Sequence, residues 1–250
     1  MMRILTPGRR RFASHAALTG ALVISSVGCA TRPDGNPRDP FESFNRGVFQ
    51  FNDGMDKAIF KPAATIYHQV TPSLFRAGVG NFLGNLEDIW SSINSLLQFK
   101  PKAAALNFMR FNVNTVFGLG GILDVATEAR IEREREDFGQ TLAVWGVPSG
   151  PYLMLPLMGP STLRDTFAMP VDMAADIVGN LDHVPTRNSI KLIDLLDTRA
   201  GLLRAGEALD EVALDKYSFT RDAFLQRRRN AVYDGDPPEE PAVANKPPGR

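Results

Sequence analysis

The sequence predicts an all-α fold built from amphipathic helices, with few or no strands. Apolar side chains recur at spacings of three and four along most of the chain, which is the period of one helix face. Alternation with a period of two, typical of half-buried strands, is scarce. Pairs of a capping residue and a proline recur, so we expect a succession of helices joined by short irregular segments.

The first 28 residues have the layout of a lipoprotein export signal. Arg3 and residues 9–11 are basic, residues 16–27 are mostly small or apolar, and Gly28 precedes Cys29, the only cysteine. The apolar stretch is shorter than the ~20 residues of a membrane-spanning helix, so we expect cleavage before Cys29 and lipid attachment to its thiol. A buried cysteine after an ordinary secretory signal is the alternative. The arginines fit either a plain basic region or a twin-arginine signal for folded proteins.

Polar segments flank the predicted domain on both sides. Residues 29–38 are rich in proline and glycine and predict a lipidated, flexible tether. Ala30 stands where aspartate commonly retains lipoproteins at the inner membrane, so we expect sorting to the outer membrane. Residues 233–250 hold five prolines and few apolar side chains, which predicts a disordered tail. The folded domain is therefore expected at residues 39–232.

Composition narrows the class of protein. Removal of the signal peptide takes away four of the 28 basic residues and no acids, so the remaining chain lacks the basic charge that binds nucleic acid. A lipidated Cys29 leaves no thiol for a disulfide, and packing must supply the stability. No apolar run after Cys29 is long enough to cross a bilayer as a helix. Membrane contact is expected through the lipid anchor or at the interface.

The first predicted helix begins with a strong start signal. Asp39 is a candidate cap, Pro40 suits the first helical position, and Glu42 completes a capping box. One apolar stripe follows, and Pro62 is expected to end the helix. The stripe consists of Phe41, Phe44, Val48, Phe51, Met55 and Ile59.

The middle of the domain predicts three more helical segments. Thr71 and Pro72 repeat the start signal, and Gly84 with Asn85 is expected to interrupt the helix before a further one over residues 86–99. Another helix is expected over residues 101–117. Glycines at 118, 120 and 121 then break the pattern inside an apolar stretch.

The second half alternates helices with irregular segments. A helix is expected over residues 137–145, and prolines and glycines make residues 150–160 an extended apolar connection. Ser161 is a candidate cap for a short helix that reaches Asp165, and Thr186 for a longer one that reaches Leu203. The last predicted helix, residues 216–232, is basic along Arg221, Arg227, Arg228 and Arg229.

No catalytic, cofactor or metal site is predicted. His68 and His183 are far apart in sequence, and the Gly-x-Ser-x-Gly elbow of hydrolases is absent. Residues 118–121 lack the third glycine of a dinucleotide loop and follow a helix. Asp124 and Glu128 share a helix face, as a general acid and base would, but a cap or a solvated face explains them as well.

Two apolar stretches on irregular backbone are the candidate functional segments. Loops are normally polar, whereas residues 116–125 and 153–158 are rich in large apolar side chains. We expect interfacial insertion or the lining of an apolar passage, with plain core burial as the alternative. The lipid-path candidates are Leu119, Ile122, Leu123, Leu153 and Leu155. Arg164 and Asp165 follow directly and predict either a headgroup contact or a structural ion pair.

Several ordered blocks of sequence resemble the VacJ/MlaA family of outer-membrane lipoproteins. The resemblance extends from Cys29 to about residue 232, over nearly the whole domain. The blocks are DPFESFNR from residue 39, NFLGNLE from 81, RFNVNT from 110, GLGGILDV from 118, FGQTL from 138, GPY from 150 with LP at 155, and TLRD from 162.

This resemblance implies a structure and a role. The expected protein is a ring-like bundle of amphipathic helices in the membrane plane, lying in the periplasmic leaflet of the outer membrane around an amphipathic channel. It would withdraw phospholipid misplaced in the outer leaflet and pass it to a periplasmic carrier that feeds an inner-membrane ABC transporter. Association with a trimeric porin is implied, and no cofactor or covalent step. A structural envelope lipoprotein without transport and a lipid hydrolase are the alternatives.

Replacement of the anchoring cysteine tests the lipoprotein interpretation. We expect Cys29→Ser to release the protein from membranes or to block signal cleavage, because the thiol is the acylation site and two acyl chains give stable anchoring. Fractionation and the size of the processed chain measure both effects. Normal processing with unchanged outer-membrane retention would contradict the prediction.

Overall fold

The computed structural model describes residues 36–239. The predicted signal peptide, Cys29, the tether up to residue 35 and the tail from residue 240 lie outside the described residues. Between residues 36 and 239 the chain is mostly helical with one small sheet, which confirms the all-α prediction. The elements in order are α1 (Glu42–Met55), a π-helical turn (Asp56–Phe60), α2 (Lys61–Val70), α3 (Ser73–Leu97), α4 (Pro101–Phe117), α5 (Val125–Glu128), α6 (Phe138–Val144), β1 (Tyr152–Leu155), β2 (Gly159–Thr162), α7 (Leu163–Ala175), α8 (Val184–Gly201), α9 (Leu203–Val212) and α10 (Lys216–Val232).

The start of α1 differs from the prediction. Phe41 occupies the N-cap position and makes no side-chain cap, so the assignment of Asp39 as the cap is wrong. Asp39 is instead buried, where it accepts hydrogen bonds from Asn45 at 2.8 Å, from Arg221 at 3.1 Å and from the Tyr217 hydroxyl. A carboxylate can accept several bonds at once, and here these tie the start of the domain to α10.

Pro62 does not end the first helix. The chain passes through the π-helical turn, in which the Lys61 amide donates to the Asp56 carbonyl five residues earlier, and continues as α2 to Val70. Pro62 stands in the first turn of α2. The missing N–H of proline costs little in that turn, and the wide turn before it makes room for the ring.

Gly84 and Asn85 do not interrupt the long helix α3. A Cβ atom at Gly84 would lie 2.7 Å from an Arg133 guanidinium nitrogen, so glycine makes room for that side chain. Asn85 is buried and donates a hydrogen bond of 3.0 Å to the Thr115 hydroxyl on α4. Both residues are explained by packing between distant segments, which outweighs their weak helix propensity.

Residues 150–160, predicted as an extended connection, form a short antiparallel hairpin. Tyr152 pairs with Thr162 and Leu155 with Gly159. Helix α1 supports the hairpin, because Asn45 bonds the Tyr152 carbonyl at 3.1 Å and the Met154 amide at 2.9 Å. These side-chain bonds supply partners that a third strand would otherwise provide. Tyr152 and Met154 face inward and form a small apolar core with Tyr217.

The caps of the next two helices lie at other residues than predicted. Thr162, and not Ser161, caps α7 by accepting from the Asp165 amide, and the helix continues beyond Asp165 through Pro170 to Ala175. His183 rather than Thr186 caps α8, because the His183 side chain accepts a hydrogen bond from the Thr186 amide. A proline in the first turn also suits a helix start. Helix α8 ends at Gly201, and the separate helix α9 was not predicted.

A buried ion-pair network holds α3, α4 and the following loop together. Arg110 on α4 is 2% exposed and binds both carboxylate oxygens of Asp124, at 2.8 and 2.9 Å. Asp88 on α3 lies 3.6 Å from the same guanidinium and 2.8 Å from that of Arg133. Asn114 donates to Asp124 at 3.0 Å. These bonds satisfy charges that would be costly to bury alone.

The network also shifts the titration of Asp124. Partial burial by itself would raise the pKa of Asp124, but hydrogen bonds from Thr127 and Asn114 and the charge of Arg110 outweigh it and lower the pKa to about 2. A carboxyl group whose pKa is depressed in the folded state stabilises the fold above its ordinary pKa of 3.8. That contribution is lost as the pH falls toward 2.

Removal of the buried arginine should destabilise the domain strongly. Arg110→Met would leave Asp88 and Asp124 without their shared partner, and we expect a loss of ~3–5 kcal/mol in the free energy of unfolding. Thermal unfolding of the detergent-solubilised protein measures the effect. Lys102→Met, on an exposed position of the same helix, is the matched control. An unchanged unfolding midpoint for Arg110→Met would contradict this account.

Candidate functional site

The distribution of polar and apolar side chains is inverted relative to an ordinary soluble domain. Among residues 36–239, nineteen polar or charged residues are buried against ten apolar ones, and six of those ten are alanine. Large apolar side chains lie at the surface of nearly every helix, among them Phe44, Phe51, Leu74, Phe108 and Phe167. Soluble proteins rarely expose so much contiguous apolar area, and such surfaces mark contact with a membrane or a partner.

The glycine-bearing segment after α4 presents its apolar side chains outward. Leu119 is 71%, Ile122 48% and Leu123 50% exposed, so these three predicted lipid-path residues are not core residues. Backbone hydrogen bonds fix this segment. The Gly121 amide donates to the Asn114 carbonyl and the Leu123 amide donates to the Gly118 carbonyl, both at 2.9 Å. The segment is a rigid loop with an apolar outer surface.

The start of α3 extends this apolar surface. A Cβ atom at Gly78 would lie 3.0 Å from the Ile122 side chain, which shows how closely the loop packs on the helix. Leu74 and Phe75, one turn before Gly78, are exposed. Phe117, at the end of α4, is exposed as well. Together these residues make one end of the α3–α4 pair apolar on its outside.

The hairpin candidates occupy a different environment. Leu153 and Leu155 are half-buried on the outward side of β1, whereas Tyr152 and Met154 are buried. Leu157 has a positive φ of 63° and lies exposed at the hairpin turn. The structure therefore does not bring the hairpin candidates together with the exposed loop candidates in a single cluster.

Three neighbouring cavities, each partly open to solvent, lie between the helices. Cavity A, about 380 Å³, lies between α3, α7 and α8 and is walled in part by Trp90, Asp172 and Lys191. Cavity B, about 530 Å³, lies between α6, the hairpin, α7 and α10. Cavities A and B have four residues in common in their walls: Arg135, Asp137, Gln140 and Asp172.

Cavity C, about 650 Å³, adjoins cavity B and lies between α1, the hairpin, α9 and α10. Pro160, Phe224 and Arg227 belong to the walls of both. The walls of cavity C combine aromatic and aliphatic side chains with lysines, arginines and aspartates. The apolar members are Phe49, Met154, Met158, Leu202, Leu209, Phe219 and Phe224, and the charged ones are Asp53, Asp56, Lys57, Lys61, Arg199, Asp210, Lys216 and Arg227.

An arginine on α10 joins three helices at the wall of cavity B. Arg228 binds Asp137 at 2.6 and 2.7 Å and Asp165 at 2.9 Å through two nitrogens. Burial by itself would lower the pKa of Arg228, but the hydrogen bonds that it donates to the two aspartates raise it. Gly139 lies beside this group, where a Cβ atom would be 2.4 Å from the guanidinium. We call Arg228, Asp137 and Asp165 the α10 ion hub.

The predicted pair Arg164 and Asp165 meets this hub at Asp165. The two side chains are 3.1 Å apart, and Arg164 is buried. Burial by itself would raise the pKa of Asp165, but hydrogen bonds from Arg228 and the charges of both arginines lower it. Arg164 and Asp165 form an ion pair within α7, and Asp165 joins that pair to Arg228 on α10. A headgroup contact by these residues stays a prediction.

Sequence reasoning missed Asp172 as a wall residue. Its carboxylate accepts hydrogen bonds from the Trp90 indole at 2.8 Å and the Phe138 amide at 2.9 Å, across three helices. Burial raises the pKa of Asp172. The sequence carries little signal for this role of Asp172, because only the tertiary fold brings residues 90, 138 and 172 together.

Residues 36–239 contain neither a metal-binding cluster nor a membrane-spanning helix. No cluster of three or more histidine, cysteine, aspartate or glutamate side chains in that range has the arrangement to hold a metal ion. None of the described helices has both the length and the apolar character needed to cross a bilayer.

Comparison with known proteins gives a consistent result. The family model of the MlaA lipoprotein matches residues 37–231. The chain is 34% identical over 236 residues to the Escherichia coli (strain K12) protein named intermembrane phospholipid transport system lipoprotein MlaA, covering 91% of this chain and 92% of the relative. The relative of the same name from Haemophilus influenzae is 34% identical over 225 residues, covering 85% of this chain and 88% of the relative.

A solved structure agrees with these sequence matches. It comes from work on the structural basis for maintenance of bacterial outer membrane lipid asymmetry, and it superposes with a TM-score of 0.68 at 34% identity. The match covers 79% of this chain and 99% of that chain. Fold, family model and relatives agree, and the chain belongs to the MlaA lipoprotein family.

Proposed function

We propose that this protein removes mislocalised phospholipid from the outer leaflet of the outer membrane and passes it through an amphipathic channel toward the periplasm. The relatives from Escherichia coli and Haemophilus influenzae are named as lipoproteins of an intermembrane phospholipid transport system. The solved neighbour belongs to work on outer-membrane lipid asymmetry. Retrograde transport of this kind maintains that asymmetry.

The inverted polarity of the bundle is the observation that carries the proposal. Apolar side chains on the outside of the bundle fit an environment of acyl chains, and polar side chains inside it can bind a headgroup. Horizontal amphipathic helices can be embedded in one leaflet because their backbone groups are bonded within each helix. The ring-like arrangement in the periplasmic leaflet is part of this proposal.

Cavities A, B and C supply the candidate route. Neighbouring cavities have wall residues in common, and cavity C combines apolar side chains with paired charges. A phospholipid needs both kinds of surface, since its chains avoid water and its headgroup requires polar partners. No bond is made or broken along such a route, so the proposed role is not enzymatic.

The anchoring and the partners rest on sequence and family. In this proposal residues 1–28 are removed, Cys29 carries the lipid, residues 29–38 are the tether, and residues 39–232 form the transport domain. A trimeric porin surrounds or adjoins the domain in the outer membrane. A periplasmic carrier accepts the lipid and feeds an inner-membrane ABC transporter. Residues 233–250 take no part in transport.

Two measurements together test the proposed function. Purified protein is extracted and its co-purified phospholipid is quantified, and phospholipid in the outer leaflet is measured in cells that lack the gene. Bound phospholipid together with outer-leaflet accumulation is the expected result. Protein that carries no phospholipid would favour a structural lipoprotein, and turnover of added phospholipid would favour a hydrolase.

Charges on the exposed loop should impair transport more than folding. Leu119→Asp, Ile122→Asp and Leu123→Asp place a carboxylate on an exposed, rigid loop, where it displaces no packed core and leaves the fold intact, while it disturbs contact with acyl chains. We expect near-normal abundance in the outer membrane with phospholipid accumulation in the outer leaflet. Leu214→Asp, at an exposed position outside the three cavities, is the matched control. Normal lipid asymmetry in all three loop variants would remove this segment from the mechanism.

Filling cavity C should block the proposed route. Gly206 on α9 belongs to the wall of cavity C, and a Cβ atom there has ordinary space, 3.9 Å from the nearest atom of Arg199. We therefore expect Gly206→Phe to fold and its ring to occupy part of the cavity. We expect outer-leaflet phospholipid to accumulate at normal protein abundance. The matched control is Gly201→Phe on α8, where the added side chain begins in open space and outside the three cavities. Equal asymmetry in both variants would contradict a route through cavity C.

A further inference from the structure

One arginine at the junction of two cavities has no partner among residues 36–239. Arg227 on α10 belongs to the walls of both cavity B and cavity C. Among residues 36–239 its guanidinium makes no hydrogen bond, ion pair or ring contact. It is exposed, so it is accessible from the cavities.

Four aspartates around this junction are bound by other cations. Within cavity C, Asp53 binds Lys57 and Asp56 binds Arg199, both at 2.6 Å. Within cavity B, Asp137 and Asp165 are bound by Arg228 in the α10 ion hub. These four aspartates are therefore already engaged by cations other than Arg227.

Apolar side chains also lie beside Arg227 at the junction. Phe224 lies three residues earlier on the same face of α10, and it is the second residue that both cavities share. Pro160 is the third. A guanidinium beside aromatic and aliphatic surface matches a ligand with an anionic oxygen next to hydrocarbon. A phosphodiester attached to acyl chains has this chemistry, and guanidinium groups bind phosphate oxygens through two parallel hydrogen bonds.

We propose that Arg227 binds the phosphate of a phospholipid at the junction between cavity C and cavity B. This inference rests on the proposed function and assigns one residue of the route its ligand group. The neighbouring Arg228 has a different role, because its nitrogens are used by Asp137 and Asp165 and hold three helices together. Of these two consecutive arginines on α10, Arg228 is structural and Arg227 binds the ligand.

Photolabelling with two matched probes tests the assignment. The purified full-length protein in detergent is exposed to a photoreactive phosphatidylglycerol and to a photoreactive diacylglycerol with the same chains. For Arg227→Gln we expect phosphatidylglycerol labelling to fall about tenfold, the effect of one charge-assisted contact, while diacylglycerol labelling stays unchanged. Arg227→Lys should retain part of the labelling, because the charge is kept without the planar fork.

Controls separate a specific contact from general effects. Arg204→Gln removes an exposed arginine that lies outside the three cavities and has no ion pair within residues 36–239, and it should label as the parent does. Inorganic phosphate and glycerophosphate are added as competitors. Competition at millimolar concentration by either one would show that the site binds free phosphate rather than lipid, and would overturn the lipid assignment. Equal phosphatidylglycerol labelling in Arg227→Gln and the parent would overturn it as well.

The cell-based readout distinguishes this inference from the proposed function. If Arg227→Gln keeps normal lipid asymmetry while Gly206→Phe loses it, the role of Arg227 is wrong and the transport route stands. If both variants keep normal asymmetry, the route itself is wrong. Loss of asymmetry in both, with selective loss of phosphatidylglycerol labelling in Arg227→Gln, supports both proposals.

Discussion

The rest of the structure depends on the satisfaction of polar groups inside a bundle whose outside is apolar. A domain with an apolar surface cannot turn its polar side chains toward water, so they must find partners in the interior. Arg110 with Asp88 and Asp124 meets this requirement between α3 and α4. The α10 ion hub meets it between α6, α7 and α10. Helix positions are therefore fixed by directional bonds more than by apolar packing.

This design explains why cavities persist inside a small bundle. An apolar core packs without voids, because the hydrophobic effect is non-directional and cavities are destabilising. Ion pairs and hydrogen bonds instead hold the helices at set distances and leave polar walls between them. The apolar core proper is confined to the hairpin, where Tyr152 and Met154 meet Tyr217. Space for a ligand with a polar head and apolar chains follows from that division.

Rigid irregular backbone has a comparable role at the surface. The loop after α4 turns through Gly120 and Gly121, both with positive φ, and its amides are bonded to the end of α4. A Cβ atom at Gly121 would lie 2.6 Å from the buried Asn85 side chain, so the loop also closes over α3. Apolar side chains can then point outward without loss of order. Asp124 completes the loop and links it to the buried arginine.

The sequence alone determined the fold class, the limits of α4, α6 and α10, and the family, because helix periodicity, start signals and ordered sequence blocks are local properties. It also identified the apolar loops as unusual. Tertiary structure decided what local signals cannot contain: the passage of the first helix beyond Pro62, the unbroken α3 at Gly84, and the burial of Asp39. The last two depend on a partner far away in sequence, Arg133 for Gly84 and Arg221 for Asp39, whereas the first depends on the π-helical turn before Pro62. The cavities likewise arise only when distant segments meet. The same holds for Arg227, which has no partner among residues 36–239, since the fold decides which carboxylates lie near an arginine.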